Sequence, residues 1–268
     1  MKLNIKFKKF KENHLKKKDQ ILFYSKNCKD YKKIENLFRF LLTEKDSFIF
    51  ESVEKGKIKG RYTIIGLNPD KIWNINNNKI SITTEKKEKV IKSDPLIYLK
   101  NLTNKFKIKI PKTLPSMSSM LVGYFSYDVI RYVEKIPDRC INDLNIPDVR
   151  LMRPKNLIIY DNFKKKIHFI ENFFSDIPIK DYFEKYNSVK RKFDFYNFLE
   201  KIDFKEDFLN KKNLNKVKSN TSKNKFISSV IKAKKYISMG DIFQVVLSQR
   251  FERKIEKTPL EIYNNLRK

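Results

Sequence analysis

Histidine and cysteine are scarce in this 268-residue chain, with two of each. His14 and His168 are too few for a His-based zinc site and argue against a serine triad. Cys28 and Cys140 lie far apart, with neither a CxxC nor a metal-ligand spacing, the pattern of two reduced thiols in a cytosolic protein. No apolar run approaches the roughly 20 residues that span a bilayer. The N-terminal stretch MKLNIKFKKFKENHLKKK has no apolar segment of the kind a signal peptide needs. The expectation is a soluble cytoplasmic protein with no membrane partner. Walker loops, GxGxxG, HExxH and GxSxG are all missing, so no complete active site can be written from local motifs.

Acidic residues are also few: 31 against 60 basic ones, for a net charge of +29. Such an excess first suggests a polyanionic partner. Its make-up weakens that idea, because only ten of the 60 are Arg, the residue whose forked donors suit phosphate and base edges. The lysines run along the whole chain beside many Ile, Asn and Phe. All of these have A/T-rich codons, so genome composition accounts for the charge at least as well. Solvated lysine faces and no nucleic acid are expected, with a basic nucleic-acid-binding protein as the alternative of another class.

What is plentiful is apolar and aromatic: 40% and 13% of residues, enough for a sizeable core. Ile34, Leu37, Phe38, Leu41 and Leu42 make a helical stripe over residues 31–43. Strands are expected at 48–53, 61–67, 71–76, 79–83, 120–127, 156–160 and 167–170. Asn-rich or charged turns make hairpins of 71–83 and 156–170. Asp94 followed by Pro95 opens a helix marked by Leu96, Leu99, Leu102 and Phe106, and residues 181–199 make another. Gly123 sits in its strand where a neighbour can approach closely. After a polar linker at 203–222, Phe226, Val230, Ala233 and Ile237 mark a helix that ends at Gly240. Residues 242–247 have the pattern of a buried strand, with Gln244 set among apolar neighbours. Pro259 opens a last helix. Strands and helices mix without βαβ alternation, so the fold class expected is α+β with largely antiparallel sheets.

Four blocks carry a resemblance. GDIFQVVLSQRF at 240–251, preceded by KAKKYISM, resembles the start of the chorismate-binding domain of anthranilate synthase component I. ESVEKGKIKGRYTIIGLNP at 51–69 is similar to that family's N-terminal block. MLVGYFSYDVIRYVEKIP at 120–137 and IPDVRLMRPKNLIIYDNFKKKIHFI at 146–170 follow in family order. Ser118, Ser119 and Ser126 replace usual glycines, which should alter turns rather than chemistry. The resemblance implies an N-terminal region at 1–202, the linker, and the start of a catalytic domain at 223–268, with the rest of the family pattern beyond Lys268.

The resemblance also implies an activity: chorismate and ammonia give anthranilate and pyruvate, with ammonia supplied by a glutamine amidotransferase subunit. Mg2+ is implied as cofactor, with its ligands expected beyond Lys268. Such a fragment is expected to be inactive by itself. Glu51 and Ser52, with Arg61, stand where the family binds tryptophan as inhibitor; a hydroxyl and a carboxylate can receive an amino acid's ammonium. Gln244 stands where water-adding relatives carry Lys. An amide cannot take a proton at neutral pH, so it suits an enzyme that positions ammonia. Each site keeps a plain structural reading: Gln244 bonding buried backbone, Ser52 capping a turn. Arg250 and Arg253 are expected to pair with surface acids such as Glu252 rather than with substrate. The nearest alternative enzyme is 4-amino-4-deoxychorismate synthase component I; a non-catalytic regulatory module is a third.

Overall fold

The computed structural model describes residues 2–51, 60–85, 87–106, 108–137, 142–202, 216–255 and 257–267. The chain divides into two compact units, Met1–Phe204 and Lys205–Lys268.

The first unit is organised by two long strands, β3 (Tyr62–Asn76) and β7 (Val149–Asp161), paired antiparallel from Tyr62↔Asp161 to Ile75↔Val149. Each lends its outer edge to two partners in turn. β3 pairs first with β2 (Phe48–Glu51) and then with β4 (Lys79–Thr84), which carries β5 (Glu88–Lys92). β7 pairs with β6 (Val122–Phe125) and then with β8 (Lys166–Phe173), which carries β1 (Gln20–Asn27). Every pairing is antiparallel, in accord with the α+β expectation.

Sequence pattern suggested two strands, at 61–67 and 71–76. The structure has one strand of 15 residues. Pro69 lies opposite Pro154, where neither residue could donate, and the register shifts between Pro69 and Lys71. The shift absorbs the proline and the strand continues.

Strand runs such as LIIY lack a polar alternation because both faces are covered. Ile65, Leu67, Ile158 and Tyr160 face one cluster, while Ile64, Leu157 and Ile159 face a second. Three helices fill the first cluster: α1 (Phe7–Leu15), α2 (Lys32–Leu41) and α4 (Tyr182–Leu199). The α4 stripe Tyr186, Val189, Phe193, Tyr196 and Leu199 is buried, and the Asp181 carboxylate caps the helix by accepting from the Phe183 and Glu184 N–H groups. Each large side chain so buried stabilises the fold by roughly 1.5–3 kcal/mol relative to exposure. A third cluster joins Trp73, Ile75 and Val149 to α3 (Pro95–Lys105), which Asp94 caps at the Ile97 N–H as its sequence suggested.

The N-terminal segment carried no predicted element. It holds α1 and β1, with Phe10 and Leu22 fully buried. In α1 only Phe7, Phe10 and the exposed Leu15 are strongly apolar among the lysines, so its stripe was too sparse to stand out.

In the second unit, Ser222 caps α5 (Lys223–Ser238), and Gly240 ends it at φ +79°. β9 (Lys218–Ser219) and β10 (Phe251–Glu252) form a two-residue ladder, and α6 (Pro259–Arg267) follows. Thr258 and Glu261 close a reciprocal capping box at the start of α6. The buried strand expected at 242–247 is not there: the segment is irregular and Phe243 is fully exposed. A strand exists only with a ladder partner, and among the described residues no strand lies beside it.

Candidate functional site

Two of the residues singled out in the sequence sit at one end of β3. Glu51 closes β2 directly opposite Thr63. Its carboxylate accepts a hydrogen bond from the Tyr31 hydroxyl, which also lies 3.3 Å from Thr63 Oγ1. The Tyr31 ring is wedged between Tyr160 and Phe38, at centroid distances of 5.6 and 6.4 Å. Glu51 is thus a positioned carboxylate whose orientation is set by a packed tyrosine. Ser52 lies outside the described residues.

Arg61 immediately precedes β3, and its guanidinium faces the end of β7. Nε and Nη2 donate to the two oxygens of Asp161 at 3.1 and 2.7 Å. Tyr62 and Phe163 flank the guanidinium, their ring centroids 4.8 and 5.5 Å away. Asp161 Oδ1 also accepts the Phe163 and Lys164 N–H groups, so the same carboxylate organises the β7–β8 turn. Burial opposes ionisation of Asp161, but Arg61 and the turn N–H groups outweigh it and hold the carboxyl below its usual range. The hydrogen bond to Asp161 in turn raises the Arg61 pKa. Two of Arg61's five N–H donors serve Asp161; among the described residues the other three have no acceptor.

The structure therefore gives Glu51 and Arg61 fixed partners, Tyr31 and Asp161, that the sequence did not single out. Tyr31 stood at the start of the helical stripe and Asp161 in the DNFKKK turn. Neither carried a local sign of its partner, 20 and 100 residues away.

Gln244 belongs to the second unit. It is exposed in the irregular segment at 242–247, not buried in a strand as its apolar neighbours suggested. The plain reading, in which its amide bonds buried backbone, is therefore absent among the described residues. Arg250 Nε lies 3.0 Å from Glu252, the surface pairing expected of it.

As to metals, the described residues include no group of three or more His, Cys, Asp or Glu side chains that could hold an ion. The described residues do not make a magnesium cage. No described helix is long and apolar enough to cross a membrane.

Residues 46–268, which include Glu51, Ser52, Arg61 and Gln244, match the family model described as chorismate binding enzyme. The chain belongs to this family.

Its curated relatives include the anthranilate synthase component 1 of Acetivibrio thermocellus, 33% identical over 237 residues. That match takes in 87% of this chain and 48% of the relative. The component 1 proteins of Cereibacter sphaeroides and Aquifex aeolicus are 31% and 32% identical, over 83% and 84% of this chain and 46% of each relative. A crystal structure of anthranilate synthase component I from Streptococcus pneumoniae TIGR4 superposes with a TM-score of 0.60 at 26% identity. It covers 86% of this chain and 49% of that one. This chorismate-binding family member thus shares the component I fold, and the chain spans about half the length of the curated relatives it matches.

Proposed function

We propose that this chain carries the first half of an anthranilate synthase component I. In the whole enzyme, chorismate and ammonia would give anthranilate, pyruvate and water, opening the route to tryptophan. The observation that carries this reading is the run of four motif blocks in family order, over a chain 31–33% identical to proteins of that name. Gln244 favours nitrogen over oxygen delivery. Its amide can orient ammonia, already a competent nucleophile, but cannot deprotonate water. The ammonia would come from a glutamine amidotransferase subunit. Magnesium would be held by the part of the relatives that this chain does not match, where it would act as Lewis acid on a substrate carboxylate.

Glu51 and Ser52 would receive the ammonium of tryptophan as feedback inhibitor. Arg61 would contribute through the donors that Asp161 leaves over. Feedback would then be a coupling between that site and the chorismate site.

The test is a chimera in which this chain replaces the matched half of the Acetivibrio thermocellus protein. Supplied with chorismate, ammonium and magnesium, it should form fluorescent anthranilate; accumulation of 4-amino-4-deoxychorismate instead would assign the alternative activity. The 268-residue chain alone should form neither.

A further inference from the structure

A cavity of about 440 Å3 lies between α3 and the face of β3 that carries Lys71 and Trp73. It contains none of Glu51, Arg61 or Gln244, and its size is that of a small-molecule site. Its apolar wall is Trp73, Ile82, Leu102 and Phe106. Its polar wall comes from one helix face. Tyr98, Asn101 and Lys105 fall at i, i+3 and i+7 on α3, so their side chains line up along the cavity.

The hydrogen-bonding capacity of this wall is unbalanced. Trp73 Nε1 donates to the Tyr98 hydroxyl at 3.0 Å, and among the described residues that hydroxyl donates to nothing. Lys105 and Asn101 have no partner among the described residues either. Of the two carboxylates at the cavity, Asp176 is paired with cations and Asp19 is bonded through Oδ1 alone. Asp176 accepts from Lys71 at 2.6 Å and from Arg153 at 2.9 Å. Asp19 accepts from the Ser175 N–H and hydroxyl at 2.7 and 2.8 Å. Arg153 is further held by both oxygens of Asp70. What remains on the α3 wall is a surplus of donors and, in Lys105, an ammonium with no partner among the described residues; Asp19, also in the lining, keeps its Oδ2 without a donor among the described residues. Lys105 also offsets the carbonyl end of α3, which alone would repel an anion.

We propose that this cavity binds a small carboxylate carrying a planar ring, with the ring against Phe106 and Leu102, close to the buried Trp73, and the carboxylate received by Tyr98, Asn101 and Lys105. The ring gains apolar burial and offset stacking. The carboxylate supplies the acceptors that the wall lacks, and its bond to Lys105 is charge-assisted. The site does not depend on the synthase reading, because its residues lie in the first unit and serve none of the roles assigned above.

Trp73 is the only tryptophan of the chain, so its fluorescence reports on this cavity alone. Titration of the 268-residue protein with benzoate should change Trp73 emission saturably. Benzylammonium, with the same ring and the opposite charge, should bind at least about tenfold more weakly. Lys105→Met and Asn101→Leu alter exposed side chains and should keep the melting temperature of the parent. Lys105→Met should weaken benzoate about tenfold, and Asn101→Leu should weaken it less. A linear, non-saturating response to benzoate would overturn the proposal. So would equal affinity for benzylammonium, or an unchanged benzoate affinity in both variants.

Discussion

Arg61 and Asp161 stand 100 residues apart in sequence and meet through two parallel hydrogen bonds, at the place where β3 begins and β7 ends. Asp161 is almost fully buried and serves four donors: two from Arg61 and the N–H groups of Phe163 and Lys164. Replacing it removes a turn organiser and strands those donors. Asp161→Ala should destabilise the first unit by about 2–3 kcal/mol in urea unfolding. Asp161→Asn keeps an acceptor but loses the charge and should lie between the two. An Asp161→Ala midpoint equal to the parent's would show that water satisfies the turn, and that the ion pair is incidental.

Gly123 pairs with Leu151 across β6 and β7. A Cβ there would lie 1.8 Å from the carbonyl oxygen of Arg150 and 2.9 Å from the Leu151 Cα. Both obstacles are backbone, so no side chain can swing aside. Gly123→Ala should cost about 2–3 kcal/mol and speed amide exchange across Val122–Phe125. Gly240 makes the contrast. It sits at φ +79° with nothing within 4 Å of an added Cβ, so Gly240→Ala should cost only about 1 kcal/mol, from backbone strain. If the two substitutions cost the same, close approach is not what Gly123 provides.

Features fixed by near neighbours were legible before the fold was known. Asp94 caps its helix because an acidic acceptor three residues upstream of a free N–H group satisfies it wherever the helix packs. The close approach at Gly123 could be anticipated from a glycine inside an apolar strand. Features that depend on a distant partner were not. β1 reads QILFYSKN, with no alternation, and is a strand because β8 lies beside it. The two strands expected at 61–67 and 71–76 are one, and Pro69 faces Pro154 within the ladder. Residues 242–247 illustrate the converse: an apolar pattern alone does not make a strand where no ladder partner is present. The candidate site divides the same way. Glu51 and Arg61 could be singled out by motif, whereas Tyr31 and Asp161, which hold them, became visible only through cross-strand register.

His168 is buried, its Nδ1 2.7 Å from the Ser25 hydroxyl across the β1–β8 pair. Burial, with Lys166 nearby, pushes its pKa down to about 4, against a pull the other way from Asp161. The unfolded chain takes up this proton near pH 6.5, whereas the folded one resists until about 4. Between those values the unfolded state binds more protons, so stability falls as pH falls. The total is roughly 3 kcal/mol, complete once both states are protonated. Asp161 and Glu171, whose carboxyls are held low, add a further loss in the same direction at still lower pH. His168→Gln should flatten the decline between pH 6.5 and 4.5 and leave the acidic limb in place. An identical pH profile in the variant would mean that the folded protein takes up this proton as readily as the unfolded chain.

Gln244 separates effects on stability from effects on chemistry. Its side chain is exposed in this chain, so Gln244→Lys should change the stability of the 268-residue protein by less than about 0.5 kcal/mol. In the chimera with the second half of a component 1 relative, the same substitution places an amine where the amide stood. A lysine that is desolvated there loses its proton more readily and can draw one from water. The variant should then release hydroxylated product from chorismate without ammonium, while ammonium-dependent anthranilate formation falls. The ratio of the two products, read by mass spectrometry at fixed chorismate, is the deciding quantity. Unchanged anthranilate formation with no hydroxylated product would remove Gln244 from the mechanism, and with it the residue-level reason for assigning nitrogen rather than oxygen delivery to this chain.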